Sequence, residues 1–167
     1  NVTRMDKGEE WALFGNFTEA VGRLAEALDA ERRSVAQAFG FDLPSLRQHY
    51  ARSYGVPEAA LDQMAGAIEA KGMGPKGPST LWHRYVLEDA PYGLAVLERL
   101  GRMTGTPTPI LTGAIDILQA FYGRDFRAGN DLAEGIGLHD LDAASLYTRC
   151  AADRMAETPV CRASVSR

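Results

Sequence analysis

The sequence is poor in the residues that build covalent frameworks and metal sites. Only two cysteines, Cys150 and Cys161, and three histidines occur among its 167 residues. Two thiols are too few for a disulfide framework, so reduced thiols in a cytoplasmic protein are expected. None of the histidines has a second histidine or cysteine at the spacing of metal ligands, and we therefore expect no metal site.

The chain also lacks an excess of positive charge and any long apolar run. Eighteen Lys and Arg against 22 Asp and Glu give a net charge of −4. This balance argues against nucleic acid as a partner, because phosphate binding needs a basic face. No stretch approaches the ~20 apolar residues that cross a membrane, and no signal peptide is visible. The first residue is Asn1 rather than methionine, which indicates a piece of a longer polypeptide.

Helical periodicity is present along the whole chain. Apolar residues recur at three- and four-residue steps from Thr18 to Phe39, with Thr18 as a cap and Gly40 as a stop. Further helices are predicted over about 44–54, 57–71, 91–104, 107–122 and 140–157, with residues 125–137 irregular or short-helical. No run alternates with the period of a strand, so the predicted fold class is all-α, in a chain the size of one domain.

One apolar stripe predicts a buried helix face in the run from 107 to 122. Its members are spaced so that they share one side of a helix. They are Ile110, Leu111, Ala114, Ile115, Leu118 and Phe121. We expect the whole stripe to lie in the core and to need no functional interpretation.

The clearest loop, Gly72 to Ser79, formally matches the dinucleotide fingerprint G-x-G-x-x-G. That fingerprint works only where a strand leads into the first glycine and a helix follows, so that backbone N–H groups meet the pyrophosphate. Here a helical run precedes the loop, and Pro75 and Pro78 remove two backbone donors. We interpret the segment as a flexible linker loop and not as a nucleotide site.

The densest chemistry lies in residues 82–93, which read W-H-R-Y-V-L-E-D-A-P-Y-G. Two acids, an arginine, a histidine and three aromatic residues in such a short segment favour a surface that receives a ligand. A purely structural alternative is a helix start, with Asp89 or Ala90 as N-cap, Pro91 in the first turn and the aromatics in the core. Spacing alone leaves both interpretations open.

Helix geometry limits which of these side chains can act together. At 100° per residue, His83 and Asp89 lie about 240° apart on a helix, so a local His–Asp dyad is not expected. Arg84 and Asp89 lie about 140° apart and share a site only if the backbone breaks between them, which Pro91 favours by disfavouring helical geometry at Ala90. The alternatives are a local ion pair, or an Asp89 that orients a histidine supplied from elsewhere.

The segment resembles the R-Y-x-x-E-D-x-P-Y-G-L signature of the octopine/nopaline (opine) dehydrogenase family. Other pieces match in order: D-A-E-R at 29–32, Y-G at 54–55, T-P-T-P at 106–109 for the family's V-P-T-P, D-F at 125–126 and G-L at 137–138. The resemblance covers residues 1–138. It implies a helical substrate domain over 1–138, with 139–167 as a C-terminal helix and tail packed on the same domain.

The resemblance also implies an architecture and a reaction. Family members join an N-terminal Rossmann domain, which binds NAD or NADP, to a helical domain of the 6-phosphogluconate dehydrogenase C-terminal-like type. This chain looks like the second domain alone, so we expect it to be inactive by itself. The family condenses an α-keto acid, such as pyruvate, with the amino group of an amino acid and reduces the imine with NAD(P)H. The resemblance leaves a homodimer open.

Individual site residues follow from the resemblance. Asp89 matches the aspartate that pairs with a catalytic histidine, expected just upstream of Asn1. Arg84 matches an arginine that meets anionic groups, the cofactor pyrophosphate in particular. Trp82, His83 and Tyr85 are expected to line the substrate cleft. The sequence departs from the family pattern at His83, at Ala90 and at Asn16, where a glycine is usual.

Two other functions compete with this one at the level of sequence. The first is the helical domain of a different two-domain dehydrogenase that reduces a keto or hydroxy acid without condensing an amine. The second is a non-catalytic helical module for binding or dimerisation. The upstream coding sequence discriminates among the three, because a strand followed by G-x-G-x-x-G, and then a His-Pro motif, would precede Asn1 only in an opine-type enzyme.

Overall fold

A computed structural model describes the backbone of residues 1–156 and the side chains of residues 1–150. The helices within that range are α1 (Val2–Asp6), α2 (Glu19–Ala38), α3 (Leu46–Tyr54), α4 (Leu61–Ala70), α5 (Arg84–Leu87), α6 (Ala95–Thr104), α7 (Pro109–Tyr122), α8 (Asp131–Gly135) and α9 (Ala143–Ala156). A π-helical turn, Ala90–Leu94, joins α5 to α6. The β-pairing in the described part is one isolated bridge, between Ala12 and Lys76. The predicted all-α class is confirmed.

Helix ends follow the capping residues that the sequence supplies. Thr18 caps α2 by accepting the Val21 N–H, as predicted. Helices α3, α6 and α7 end at glycines in the left-handed conformation, a geometry that costs glycine little because it has no Cβ. These glycines are Gly55, Gly105 and Gly123, the stops that the sequence predicts.

Four predicted helix starts are too early. Helix α3 begins at Leu46 and not at residue 44, because Ser45 is its N-cap. Helix α4 begins at Leu61 and not at residue 57, because Val56 is buried in the core and the residues between it and Leu61 are not helical. Helix α7 begins at Pro109 and not at residue 107. Helix α9 begins at Ala143 and not at residue 140, because Asp142 caps it by accepting the Ser145 N–H at 2.8 Å. Its predicted end at residue 157 lies outside the described residues.

The main core forms where α4 packs between α2, α3 and the turn at residues 14–16. Its buried members are Phe14, Val56, Leu61, Met64, Ala65 and Ile68. The Phe14 ring stands edge-on to Tyr50 and to Tyr54 of α3, with 5.6 Å between ring centroids in both pairs. Each fully buried large side chain contributes about 1.5–3 kcal/mol. This core fixes the N-terminal half of the chain on α4.

Two carboxylates of α2 hold the starts of two other helices. Asp29 accepts the Leu46 N–H at the first turn of α3, at 3.0 Å, and also pairs with the two neighbouring arginines of α2. Glu31 accepts the N–H groups of Ile110 and Leu111 at the first turn of α7, both at 2.8 Å. The side chain of Thr108, the N-cap residue of α7, makes no capping bond, so Glu31 takes that role from a distant helix.

A buried charge network joins α6, α7 and the segment that follows α7. Glu98, which is 2% exposed, receives two hydrogen bonds from Arg127, at 2.8 and 2.9 Å. Arg102 and the Thr112 hydroxyl also donate to it, at 2.8 and 2.9 Å, and Arg127 in turn pairs with Asp116. The Arg127 guanidinium is the main reason that the pKa of Glu98 falls to about 2. The network locks residues 125–128 against α6.

The predicted apolar stripe of α7 is only partly buried. Leu111 and Ile115 lie in the core, at 1% and 0% exposure, whereas Ile110 and Phe121 are exposed. The prediction that the whole stripe is core is therefore wrong for these two. The reason is geometric. Helix α7 contacts α2 and α6 along one side, and residues at the edges of an apolar stripe lie outside such a contact.

Candidate functional site

The loop that leads into the dense segment is held by residues near the N-terminus. Gly77 donates its N–H to the Trp11 carbonyl at 2.8 Å, Leu13 donates to the Pro75 carbonyl at 3.1 Å, and the Trp11 indole N–H donates to the Pro78 carbonyl at 2.9 Å. A Cβ at Gly77 would lie 2.2 Å from the indole ring, so only glycine allows this approach. The supposed linker is therefore tied down along its length.

This pairing places α1 beside the entrance to the segment. Residues 5–8, at the end of α1, and residues 79–82 line a common groove of about 390 Å³. Helix α1 has five residues and is therefore only about 7.5 Å long. The start of the described chain thus lies close to Trp82. Asn16, one departure from the family pattern, donates its side-chain amide to the Ala12 carbonyl and so has a local structural role.

His83 has a structural task of its own. Its Nδ1 accepts the Tyr85 N–H at 3.3 Å, which makes His83 the N-cap of α5. The two rings also stand edge to face, with 4.5 Å between their centroids. Because Nδ1 acts as an acceptor, this arrangement uses the imidazole without a proton on that nitrogen. Substrate contact by His83 or Tyr85 stays a prediction.

The aromatic residues of the segment are not core residues. Trp82 is 75% exposed, and Tyr85 and Tyr92 are also exposed. Tryptophan is highly buried on average in folded domains, so an exposed tryptophan with two exposed tyrosines near it in sequence is informative. The alternative in which these aromatics serve packing is wrong, and a surface that receives a partner or a ligand explains them better.

Asp89 lies inside a continuous helical path and not at its start. Its backbone is helical, with φ −68° and ψ −32°, and its side chain makes no capping hydrogen bond. The interpretation of Asp89 or Ala90 as an N-cap is therefore wrong, because α5 has already begun at Arg84. Pro91 is accommodated by the π-helical turn instead of a break. Such turns are rare and frequently occur at functional sites.

An open groove of about 550 Å³ lies at this turn. It is lined by Glu88, Asp89, Tyr92 and Gly93. Among the described residues, no hydrogen-bond donor or cation contacts the Asp89 carboxylate. The Tyr92 hydroxyl donates to Asp131 at 2.8 Å, and this hydrogen bond raises the pKa of Tyr92. The groove is therefore lined by the Asp89 carboxylate, which has no donor or cation in contact among the described residues, and by Tyr92, whose hydroxyl is hydrogen-bonded to Asp131.

Arg84 does not share a local ion pair with Asp89. Its Nε lies 3.3 Å from Glu88 Oε2, and both side chains are more than half exposed. The backbone does not break between Arg84 and Asp89, because residues 84–89 follow a helical path. Five helical residues place the two side chains about 140° apart, so the condition for a shared site is not met. An exposed pair of this kind is worth about 0–1 kcal/mol, so the guanidinium can exchange Glu88 for another anion at little cost.

Asn130 and Asp131, the N-cap and first residue of α8, form hydrogen bonds to the π-helical turn beside the groove. The sequence did not predict these contacts. Asn130 is 6% exposed and donates its amide to the Pro91 carbonyl at 2.8 Å. Asp131 holds Tyr92, as described above. A signal was present: N-D-L-A-E at 130–134 has the pattern of a helix cap with acids in the first turn. That pattern gives no indication of what the helix packs against.

Metal ligation and membrane insertion have no support in the described residues. No three His, Cys, Asp or Glu side chains in that part of the chain are grouped so that they could hold a metal ion. None of the described helices is both long and apolar enough to span a membrane.

The family model described as NAD/NADP octopine/nopaline dehydrogenase, alpha-helical domain, matches residues 1–122. This range is well over half of the chain and contains the predicted site residues from Trp82 to Asp89. The chain belongs to the octopine/nopaline dehydrogenase family and carries the α-helical domain of that family.

Two relatives agree with this assignment. An opine dehydrogenase from Arthrobacter sp. (strain 1C) is 34% identical over 148 residues, which are 87% of this chain and 41% of that protein. A D-nopaline dehydrogenase from Agrobacterium vitis is 30% identical over 103 residues, 62% of this chain and 25% of that protein. The chain thus spans less than half the length of either relative.

Proposed function

We propose that this chain is the substrate-binding helical domain of an NAD(P)H-dependent opine dehydrogenase. The complete enzyme would condense an α-keto acid, such as pyruvate, with the amino group of an amino acid and reduce the resulting imine. The observation that carries the proposal is the uncommitted Asp89 carboxylate in the open groove of the π-helical turn. An exposed aspartate that neither caps a helix nor pairs with a cation among the described residues is available for chemistry.

In this proposal Asp89 acts through a histidine from the segment upstream of Asn1. The position of α1 beside Trp82 supports it, because chain upstream of α1 would enter near this face of the domain. The carboxylate holds one tautomer of the imidazole and raises its pKa by attraction to the cation. The protonated imidazole polarises the keto group for attack by the amine, and the neutral imidazole later takes the proton back.

Arg84 is proposed to meet the pyrophosphate of the cofactor. Its guanidinium is exposed and is held only by an exposed glutamate, which fits an arginine that exchanges partners when an anion arrives. The planar fork of the side chain matches phosphate oxygens. NAD(P)H, when bound chiefly by the upstream Rossmann domain, supplies the hydride that reduces the imine. Trp82, His83 and Tyr85 would line the cleft and exclude water.

We further propose the domain boundaries and the setting of the protein. Residues 1–138 would form the substrate domain, with the segment 139–167 packed on it. The hydrogen bonds from Arg99 to the His139 carbonyl and from Arg149 to the Ile136 carbonyl support this for the start of that segment, and residues 157–167 lie outside the described residues. The exposed free thiol of Cys150 favours the reducing cytoplasm. The isolated chain would neither bind NADH tightly nor turn over.

The test is an assay of the complete polypeptide, with the upstream domain present. Purified protein is mixed with NADH or NADPH, pyruvate and each member of a panel of amino acids. We expect oxidation of the reduced cofactor that requires both substrates, and a product whose mass equals keto acid plus amine, less water, plus two hydrogens. Oxidation with the keto acid alone would make the protein a hydroxy-acid dehydrogenase, and no oxidation with any pair would remove the proposal.

A further inference from the structure

The π-helical turn leaves one backbone carbonyl in need of a donor. In an unbroken α-helix the Ala95 N–H would bond to the Pro91 carbonyl. Here that N–H donates to the Ala90 carbonyl, one residue further back. The Pro91 carbonyl instead receives the side-chain amide of Asn130, at 2.8 Å. The amide therefore takes the place of a helix hydrogen bond at the point where the helix widens.

Asn130 is itself fixed at both ends of its amide group. Its oxygen accepts the Ala133 N–H at 2.8 Å, the capping bond of α8, while its nitrogen donates to Pro91. The side chain is 6% exposed, so neither bond competes much with water. Because both its oxygen and its nitrogen are hydrogen-bonded, the buried amide has one orientation. The position of the π-helical turn is therefore fixed relative to α8.

A second bond joins the same two elements one residue further along. The Tyr92 hydroxyl donates to Asp131 at 2.8 Å, so the N-cap and the first residue of α8 hold consecutive residues of the turn. On the other side, Ala90 and Pro91 are buried. The turn is thus held by two hydrogen bonds and by burial, and Asp89, the residue just before it, lines the open groove.

We propose that Asn130 is a positioning residue for the reaction, since by holding the Pro91 carbonyl it keeps the π-helical turn that aims Asp89 at its histidine. The inference rests on the proposed function of Asp89. The extra residue of a π-helical turn changes the direction of Asp89, relative to α6, by about 100°. If the turn relaxed to α-helix, the carboxylate would leave the groove that it now lines.

The test compares Asn130→Asp and Asn130→Ser in the complete enzyme. Both replacements keep an oxygen that can cap α8, and both remove the amide N–H that donates to the Pro91 carbonyl. We expect turnover to fall about three- to tenfold, as for the loss of one buried hydrogen bond. The limb of the pH–rate profile assigned to the histidine should move to lower pH, while KM for NADH stays the same. A structural role alone would not move the pH profile.

Two controls separate positioning from loss of stability. Ser45→Ala removes the N-cap of α3, so it should destabilise the protein to a similar extent without displacing the profile. The second control places Asn130→Asp in the Asp89→Asn background. If Asn130 acts through Asp89, the double variant should show no displacement beyond that of Asp89→Asn.

The outcomes distinguish this inference from the proposed function. If Asp89→Asn displaces the profile and neither Asn130 variant does, the positioning role is wrong and the proposed function stands. If Asn130→Asp displaces the profile equally with and without the Asp89 carboxylate, Asn130 acts by another route and the inference is also wrong. If Asp89→Asn itself has no effect, the proposed function of Asp89 fails first.

Discussion

Two segments of this chain match family motifs, and they differ in how far their side chains are buried and paired. Residues 29–32 on α2 have their acids satisfied: Asp29, 8% exposed, holds the start of α3, and Glu31 holds the start of α7. In residues 82–94, by contrast, Trp82 is 75% exposed, and Asp89 has no donor or cation in contact among the described residues.

The contrast shows how to separate structural from functional motifs within one family. A matched motif says only that the residues matter, whereas burial and hydrogen-bond satisfaction say for what. Buried charges that are fully paired maintain the fold, because removing one partner leaves the other without compensation. Exposed aromatic and charged side chains without partners contribute little to folding, and a function is the better explanation for them.

The largest effect on the structural side is expected at Glu98, the most buried carboxylate of the network. The Arg127 guanidinium holds the pKa of Glu98 at about 2, below its ordinary value of 4.5. A lowered pKa stabilises the folded state above the ordinary value, and this stabilisation is lost as the pH falls from about 4.5 toward about 2. The loss should be about 3 kcal/mol in the free energy of unfolding, measured by urea titration across that range.

Glu98→Gln should remove that acid dependence while lowering stability near neutral pH. Asp116→Asn is the matched control, because Asp116 contacts the same arginine but is exposed, so this variant should retain the acid dependence. If Glu98→Gln and the unsubstituted protein lose stability in parallel below pH 4.5, the buried network is not the source of the effect.

A somewhat smaller effect is expected at the structural motif itself. Asp29→Ala removes the acceptor for the Leu46 N–H and leaves two partly exposed arginines without their carboxylate. The free energy of unfolding should fall by about 2–3 kcal/mol, measured in urea, with turnover per folded molecule unchanged. Glu19→Ala, an exposed carboxylate of the same helix, should change stability by less than about 0.5 kcal/mol. Equal effects of the two would erase the contrast.

Arg84→Ala tests the functional side of the comparison. Stability should change by less than about 0.5 kcal/mol, because the side chain is exposed. Loss of a charge-assisted contact to phosphate should weaken the binding of NADH by about 1.5–3 kcal/mol, which raises KM for NADH roughly tenfold or more. Arg23→Ala is the control, because Arg23 forms a similar exposed i,i+4 pair with Glu19 and lies outside the segment. An unchanged KM for NADH would remove Arg84 from the site.

Local structure was the most predictable part of this fold. Thr18 and the glycines at 55, 105 and 123 mark helix ends through their own side-chain and backbone chemistry, which depends on nearby residues only. The start of α7 was misplaced because its cap comes from Glu31, 79 residues away from Ile110. A tertiary cap leaves no local signal in the sequence.

The candidate site was predictable in its composition and not in its geometry. The many charged and aromatic residues in 82–93 marked the region as a candidate site. The π-helical turn, however, depends on Pro91 and on the hydrogen bond from the Asn130 amide to its carbonyl. The pairing of Arg84 with Glu88 has ordinary i,i+4 helical spacing, whereas the exposure of Ile110 does not follow from spacing. Spacing fixes angles around one helix, whereas burial depends on which helices pack against it.

The central claim is that Asp89 acts on a histidine, and Asp89→Asn tests it with the least disturbance of shape. The carboxylate is expected to raise the pKa of the upstream imidazole by about one to two units, each worth ~1.4 kcal/mol. Glu88→Gln is the matched control, since it neutralises the adjacent exposed carboxylate on the same surface. A general field effect would act through both residues alike.

The decisive measurement is the pH–rate profile of the complete enzyme with Asp89→Asn beside Glu88→Gln. The account predicts that Asp89→Asn folds normally, loses at least about tenfold in turnover and shows the histidine limb displaced to lower pH, while Glu88→Gln displaces it much less. An unchanged rate and profile for Asp89→Asn, or equal displacement by both variants, would contradict a catalytic role for Asp89.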